Sequence, residues 1–483
     1  MPRFPLMLLL LALATACAPV QVPVPGDDCL ALLRAVDQAV VASGCRNAAY
    51  FPIPEAPYLR TSRFWASFGQ RDLTATEFRS YAAELRRLDR EARTAELSCL
   101  AQQATPTSAG ENAATSLVPG SEACAEQLLT EALIAPDTLR ATLRTTRVPD
   151  DYRTWRRVVG LYPLVSLPVA MAVANAYDDR RDWYRQELQQ WLEKGTWQTG
   201  APAAGPPAPA AEVARRLAGA SANPLKVPLP DREDAWWLAA NFAPLFIQQQ
   251  ENNRDRWGRV ERSATGFTID PERPLVYWYW DHLFRGTEPL LRLNYVTWYP
   301  ERSGGDTPWI ERGAYDGLTV GITLAADGRP LLVQTMNNCG CYHQFFPGGQ
   351  LPPPRPLPFA PDPLVPQQLP ETGPGERLAV YITTGWHQVI RLAAHPAPPA
   401  ATGYGLADYS DLEQLPGPEG GRPSLFNSAG ILPGSERIER GLFFSLGIPS
   451  VGSMRQRGHQ PITLLGREHY DDPQLLDRTF GGE

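Results

Sequence analysis

The densest grouping of reactive side chains in this chain is Cys339-Gly340-Cys341-Tyr342-His343. On an extended segment, residues at alternate positions share one side, so both thiols and the imidazole can converge. Thiolate sulfur with imidazole is a ligand set for zinc or copper, and Gly340 would let the backbone fold tightly around an ion. The spacing is C-x-C-x-H, so covalent haem attachment through C-x-x-C-H is not indicated. No second cysteine pair completes a structural zinc site. A fourth ligand would come from elsewhere, with His282 or His387 the leading candidates and His459, His469 or a carboxylate also available. Two other readings stand beside the metal. The cysteines are oxidised, to each other or to distant partners, or they are inert buried thiols. A Cys-x-Cys disulfide closes a very small ring and would be a comparatively strong oxidant, which leaves room for a redox role.

A second grouping is aromatic. Along Leu275–His282, one face carries Val276, Trp278, Trp280 and His282, and the other carries Leu275, Tyr277, Tyr279 and Asp281. Trp298 follows on the next apolar run. One aromatic face belongs to a core, and a second must be covered by another layer or form a platform on which a sugar, peptide or lipid stacks. Trp278, Trp280, His282 and Trp298 are therefore the candidate ligand-binding residues. Asp281 and His282 have the chemistry for acid–base work, but the sequence identifies no partner for them. Gly385-Trp386-His387 reads as strand with Arg391 on the His387 face, and a satisfied structural histidine is the default there. Gly452–His459 and Arg467–Asp472 are dense in polar groups that need partners if buried. No Gly-x-Ser-x-Gly elbow, His-Glu-x-x-His helix, phosphate loop or dinucleotide fingerprint is present, so whether the chain is an enzyme stays open.

The elements that must position these residues divide the chain in two. Residues 27–197 read as a helical domain. Its clearest helix opens at Thr74-Ala-Thr-Glu77, a capping-box pattern, and runs with apolar residues Phe78, Tyr81, Leu85, Leu88, Ala92, Ala95 and Cys99 on one face. Arg86, Arg87, Asp89, Arg90 and Arg93 are expected mostly outside. Asp28–Ser43, Glu122–Ile134 and Asp178–Leu192 read as further helices of a bundle. Val158–Ala176 is almost free of polar side chains, long enough to cross a membrane and flanked by Arg153, Arg156 and Arg157, but Gly160, Pro163 and Pro168 interrupt it, so a buried, kinked bundle helix is expected ahead of a membrane-embedded segment. A partly exposed version would let the protein lie on a bilayer surface. The Ala/Pro stretch 198–212 reads as a linker. The remainder, 213–483, reads as a β-rich domain with strands at Arg273–Phe284, Glu288–Pro300, Leu318–Leu324, Leu331–Met336 and Leu378–Leu392. Asp327-Gly328 marks a hairpin, and 347–374 is a Pro-rich irregular loop. The expected class is α+β: an N-terminal helical bundle, then a mainly antiparallel sheet domain with long irregular loops.

At the N-terminus, Arg3 precedes an apolar run from Phe4 to Ala14 and the small residues Thr15-Ala16 before Cys17. These are the parts of an export signal. Leu13-Ala14-Thr15-Ala16-Cys17 resembles the lipobox of bacterial lipoproteins, although Ala14 stands where that family prefers leucine. The resemblance implies that 1–16 is removed, that Cys17 is acylated, and that 17–26 is a lipidated tether. Ala18 in place of aspartate implies the outer membrane, with the protein facing the periplasm. Beyond the lipobox the mature part resembles uncharacterised proteobacterial lipoproteins, which implies no mechanism. The remaining six cysteines suit disulfides in an oxidising compartment, with Cys29–Cys45 and Cys99–Cys124 the first pairings suggested by proximity.

Composition sets the outer limits. With 483 residues and 43% hydrophobic content the chain is long enough for two or three domains, each able to bury its own core, which excludes a disordered chain, a disulfide-only scaffold and a polytopic membrane protein. The net charge of −7 denies it the electrostatic footprint of a nucleic-acid binder. The leading expectation is a lipid-anchored envelope protein that binds an envelope protein or glycan through the aromatic groove. The alternative is a zinc- or copper-dependent or redox enzyme centred on Cys339, Cys341 and His343.

Overall fold

Asp28 accepts a hydrogen bond from the Ala31 N–H at 3.0 Å and so starts α1 (Cys29–Ala42). Strands β1 (Phe51–Pro52) and β2 (Arg60–Thr61) and helix α2 (Arg63–Phe68) precede the long α3 (Ala75–Gln103). Before α3 the expected reciprocal cap is present: Glu77 Oε2 accepts from the Thr74 N–H at 2.7 Å, and Thr74 Oγ1 accepts from the Glu77 N–H at 3.3 Å. Helices α4 (Ser108–Ile134) and α5 (Asp137–Thr145) complete this part, packed around Leu33, Val36, Phe64, Trp65, Leu85 and Leu100. The computed structural model describes residues 28–103, 108–263, 266–304, 306–356, 361–417 and 422–481. The signal, Cys17 and tether expected over 1–26 lie outside these residues.

Two expectations for the helical part are corrected. Arg86, Asp89 and Arg93 are buried rather than outside. Asp89 accepts from Arg86 at 3.1 Å, Arg93 at 3.0 Å and Arg60 at 3.4 Å, while Glu96 accepts from Arg60 at 2.6 Å. Mutual neutralisation lets these charges stay inside, so an internal ion cluster has the periodicity of a solvent face. The disulfides are Cys29–Cys124 and Cys45–Cys99, with Cα separations of 4.9 and 5.6 Å. The neighbouring pairing fails on geometry. Cys29 opens α1 and Cys45 lies beyond its far end, so roughly 20 Å of helix separates them.

Next come α6 (Thr154–Val159), α7 (Tyr162–Arg185) and α8 (Leu188–Leu192). The apolar segment expected as a buried helix is instead largely on the surface, and in α7 only Arg180 and Tyr184 are buried.

The expected linker is also corrected: Thr196–Pro202 forms β3, an interior strand of the large sheet. Its small residues are needed there, because a Cβ on Gly200 would lie 2.4 Å from the Trp257 ring. Helices α9 (Ala210–Ala220) and α10 (Arg232–Phe242) follow, then β4 (Leu245–Gln250) and a separate pair, β5 (Arg259–Ser263) with β6 (Gly266–Asp270). Strands β7 (Leu275–Arg285), β8 (Glu288–Arg302), β9 (Gly313–Leu324), β10 (Pro330–Asn337) and β11 (Gln344–Pro347) form an antiparallel meander. The hairpin at Asp327-Gly328 is present, with Gly328 at φ +81. Strands β12 (Glu376–Ile382), β13 (Val389–Pro396) and β14 (Thr402–Asp408) complete a ten-stranded sheet in the order β11-β10-β9-β8-β7-β14-β3-β4-β12-β13. The contacts β14–β7, β14–β3 and β4–β12 are parallel, so the sheet is mixed. The protein is α+β.

Between β11 and β12 the described residues of the Pro-rich segment carry neither helix nor strand and cover the sheet edge, the Phe345 N–H donating to Leu364 O at 2.9 Å. The C-terminal stretch joins the two halves. Gln456 Nε2 donates to Asn47 Oδ1 at 2.8 Å, and Arg63 donates to Asp471 at 2.8 Å.

Candidate functional site

Strand β7 does not present its aromatic residues as one platform. Trp298 is fully buried against Phe426, and Trp278 is buried beneath the half-exposed Trp236 of α10. Both belong to core, because the sheet is covered on each face. His282 is buried too: its ring stacks on Phe64 at 4.6 Å, and Nε2 lies 2.8 Å from Pro228 O. Burial pushes the His282 imidazole down to about 4, so it is neutral at ordinary pH.

Trp280 differs. It is only partly buried, and together with Asp281 and the edge of His282 it lines a cleft where β7 meets α2, α3 and the chain around 457–471. Tyr50, Arg87, Arg457 and Asp471 complete the rim, and the Arg87 guanidinium lies 5.7 Å from the Trp280 ring centroid. Each charge around the cleft already has an opposite partner. Arg87 bonds Glu84 at 2.8 Å, Arg457 bonds Glu413 at 2.8 Å, Asp471 accepts from Arg63 at 2.8 Å, and Asp281 accepts from Arg292 at 2.7 Å. The expected residues Trp280 and His282 thus meet groups that no local motif announces. Arg87 lies on a helix nearly two hundred residues upstream of Trp280, and Arg457 and Asp471 come from the polar stretches Gly452–His459 and Arg467–Asp472, whose need for partners is legible in the sequence but not the partners themselves.

The two thiols lie in a tight turn after β10. The Asn337 N–H donates to Cys341 O at 3.0 Å, and the Gly340 N–H donates to Asn337 O at 2.7 Å. Gly340 is at φ +89, and a Cβ there would lie 2.2 Å from Pro461 O. Both cysteines are free, Cys339 buried and Cys341 partly exposed, and the Cys341 N–H lies 3.4 Å from Cys339 Sγ. Burial opposes ionisation of Cys339. The Cys341 thiol hydrogen bond and the Arg302 guanidinium outweigh it and hold Cys339 below the ordinary thiol value. Cys341 is pushed up by that same hydrogen bond and by burial. Nearby, Glu439 is raised to about 8 by burial and by Glu311 and Cys339.

The proposed metal ligands are not brought together. Among the described residues no three His, Cys, Asp or Glu side chains are placed to hold a metal ion. His343 leaves the thiols to meet Gln334, with nitrogens 3.1 Å apart, and packs edge-on against Phe345. Alternation fails here because the turn at Gly340 breaks the extended geometry it assumes. His282 is held at Pro228, and His387 is engaged elsewhere.

His387 lies not on a strand but in the turn between β12 and β13, fully buried. Its Nδ1 is 2.8 Å from Asp316 and its Nε2 is 3.5 Å from Asp255, while the ring stacks on Tyr299 at 3.9 Å. Burial opposes protonation, but the two carboxylates outweigh it and raise the imidazole above its ordinary value. Asp316 also accepts from Arg302 at 2.8 Å, and Arg302 donates to Glu311 at 3.0 Å. This chain of charges is sealed from solvent, which suits a structural ion network rather than a reaction site. No family model, curated protein or solved structure matches the chain.

Proposed function

We propose that this protein is a ligand-binding lipoprotein of the cell envelope and that its ligand, a glycan, sits in the cleft beside Trp280. The observation that carries this reading is a partly exposed indole within a ring of charges that are already paired. An ionic ligand would have to break those pairs. A neutral polar ligand can lay its C–H face on the indole and exchange hydroxyl hydrogen bonds with the carboxylate and guanidinium edges. The test is calorimetric titration with N-acetylglucosamine oligosaccharides. Trp280→Ala is expected to abolish the binding seen in the wild type while leaving the unfolding temperature within a few degrees. Equal binding by the variant would remove the cleft from the account.

Export, acylation at Cys17 and a periplasm-facing position on the outer membrane belong to the same proposal and rest on the lipobox resemblance. Metabolic labelling with a fatty acid is expected to mark the wild-type chain and not Cys17→Ser. Label on both chains, or on neither, would remove the anchor.

A second reading, thiol–disulfide exchange at Cys339 and Cys341, is favoured by their adjacency in one turn and the partial exposure of Cys341 alone. From the Cys339–Cys341 disulfide, a substrate thiolate would attack Cys341 Sγ. The S–S bond breaks and Cys339 leaves as the thiolate beside Arg302. A second substrate thiolate then displaces Cys341, whose sulfur takes up a proton. Two substrate thiols become one disulfide, and an external disulfide such as oxidised glutathione restores the protein pair. Alkylation and mass analysis in glutathione buffers would show the intramolecular disulfide forming and breaking reversibly. Two thiols that stay reduced in excess oxidised glutathione would remove this reading.

A further inference from the structure

Residues 153–177 contain three arginines and no lysine, aspartate or glutamate, and 158–177 contain no charged side chain at all. In the fold this stretch forms α6 and the first four turns of α7, and it lies on the surface. Leu164, Leu167 and Met171 are 69%, 67% and 64% exposed, and their spacing sets them on one face of α7. Val158 and Val159, at the end of α6, are likewise 70% and 68% exposed. At the far end of α7, Tyr184 Oη donates to Val389 O at 3.0 Å and the Arg180 guanidinium lies 4.2 Å from the Trp386 ring centroid, and at the near end Tyr162 Oη accepts from the Gly466 N–H at 3.4 Å, while the side chains between them are not buried. A soluble monomer seldom leaves so continuous an apolar face bare.

The surroundings of the face say what covers it. At its N-terminal end Trp155 is 57% exposed and packs edge-on against Phe444 at 5.7 Å, with the Arg156 guanidinium near both rings. Arg153 and Arg156 have no carboxylate partner among the described residues, while the acidic groups Asp178 and Asp179 lie at the opposite end of the uncharged stretch. An uncharged stripe bordered by an aromatic ring and unpaired guanidinium groups is complementary to acyl chains bordered by phosphates. A second copy of this chain, itself carrying the same arginines on that face, would bring like charges together. Pro168 interrupts α7, and no helix among the described residues is long and apolar enough to cross a membrane. The segment therefore has the length and pattern of a helix lying in the interface rather than one spanning it.

We propose that α6 and the N-terminal half of α7 seat this protein on an anionic lipid bilayer, with Leu164, Leu167 and Met171 among the acyl chains and Arg153 and Arg156 at the headgroup phosphates. This docking is separate from any N-terminal lipid and from the ligand of the Trp280 cleft. It fixes which side of the molecule faces the membrane.

The test uses the full chain carrying Cys17→Ser, so that no acyl group contributes. It is mixed with vesicles of phosphatidylcholine alone, or of phosphatidylcholine with phosphatidylglycerol, with a fraction of the lipid brominated. Trp155 emission is expected to be quenched by the brominated anionic vesicles, a signal lost in Trp155→Phe. Leu164→Asp combined with Leu167→Asp and Met171→Asp is expected to abolish that quenching. Because these side chains are exposed, thermal unfolding should be unchanged. Arg153→Gln with Arg156→Gln, a milder second variant, is expected to weaken anionic-vesicle binding roughly tenfold or more. The proposal is overturned if Trp155 is not quenched, or if the aspartate variant is quenched as strongly as the parent chain. A parent chain that ignores vesicles but forms a dimer, which the aspartates dissolve, would assign the face to a second copy instead.

Discussion

Asp281 of β7 and Arg292 of β8 stand directly opposite each other, and the guanidinium grips the carboxylate through bonds of 2.7 and 2.5 Å. Arg292 is fully buried and stacks on Tyr470 at 3.8 Å. Asp281 is thus both the floor of the Trp280 cleft and the only carboxylate that bonds this guanidinium among the described residues. Asp281→Ala leaves a buried charge unpaired and is expected to cost roughly 3 kcal/mol of folding stability by denaturant titration. Asp281→Asn retains an acceptor and should cost markedly less. A small, equal loss in both variants would show that Arg292 is solvated.

The buried histidines set opposite pH dependences. His282 is depressed from 6.5 to about 4 and His343 from 6.5 to about 3, both by burial. Between those values and 6.5 the unfolded chain binds more protons, so stability falls as pH drops below about 6.5. The His282 share alone reaches about 3 kcal/mol by pH 4, given its shift from 6.5 to about 4. His387 runs the other way. Its raised value gives stability that is present in full below about 6.5 and lost as pH rises through the folded value. Unfolding midpoints followed against pH should fall on the acid side, and His343→Gln should flatten that limb.

Peptide mapping under non-reducing conditions should recover Cys29 linked to Cys124 and Cys45 linked to Cys99. Replacing Cys29 and Cys124 together by serine removes a crosslink spanning 95 residues and is expected to cost roughly 2–5 kcal/mol. Recovery of Cys29 linked to Cys45 would contradict the packing of α1 on α4.

Gly340→Ala probes the thiol turn. Its left-handed φ of +89 and the Pro461 carbonyl 2.2 Å from an added Cβ leave no room for a methyl group. The variant is expected to lose about 1–3 kcal/mol and to raise the rate at which Cys339 reacts with a thiol reagent. Unchanged stability and reactivity would mean the turn is freely adjustable.

Local signals were legible wherever neighbours in sequence decide the outcome. The Thr74–Glu77 cap, the meander strands and the Asp327-Gly328 hairpin depend on residues a few positions apart, and each is present. What failed depends on distant partners. Arg86 and Arg93 look solvent-facing until Arg60, Asp89 and Glu96 are placed around them. Small, Pro-bounded β3 looks like a linker until Trp257 lies against Gly200. The aromatic groove shrank from four candidates to Trp280 and the edge of His282, because alternation reports which residues share a face but not what covers it. The thiols and His343 are separated because Gly340 and Tyr342, both at positive φ, turn the chain along this stretch.

A ligand resting on Trp280 changes the surroundings of that indole, which the fluorescence of paired tryptophan variants reports. Trp236 provides the control, since it is half-exposed but lies outside the cleft. Addition of N-acetylglucosamine oligosaccharides should shift the emission of the wild type and of Trp236→Phe alike, and leave Trp280→Phe unchanged. A shift that survives in Trp280→Phe and disappears in Trp236→Phe would place the ligand beside Trp236, outside the cleft.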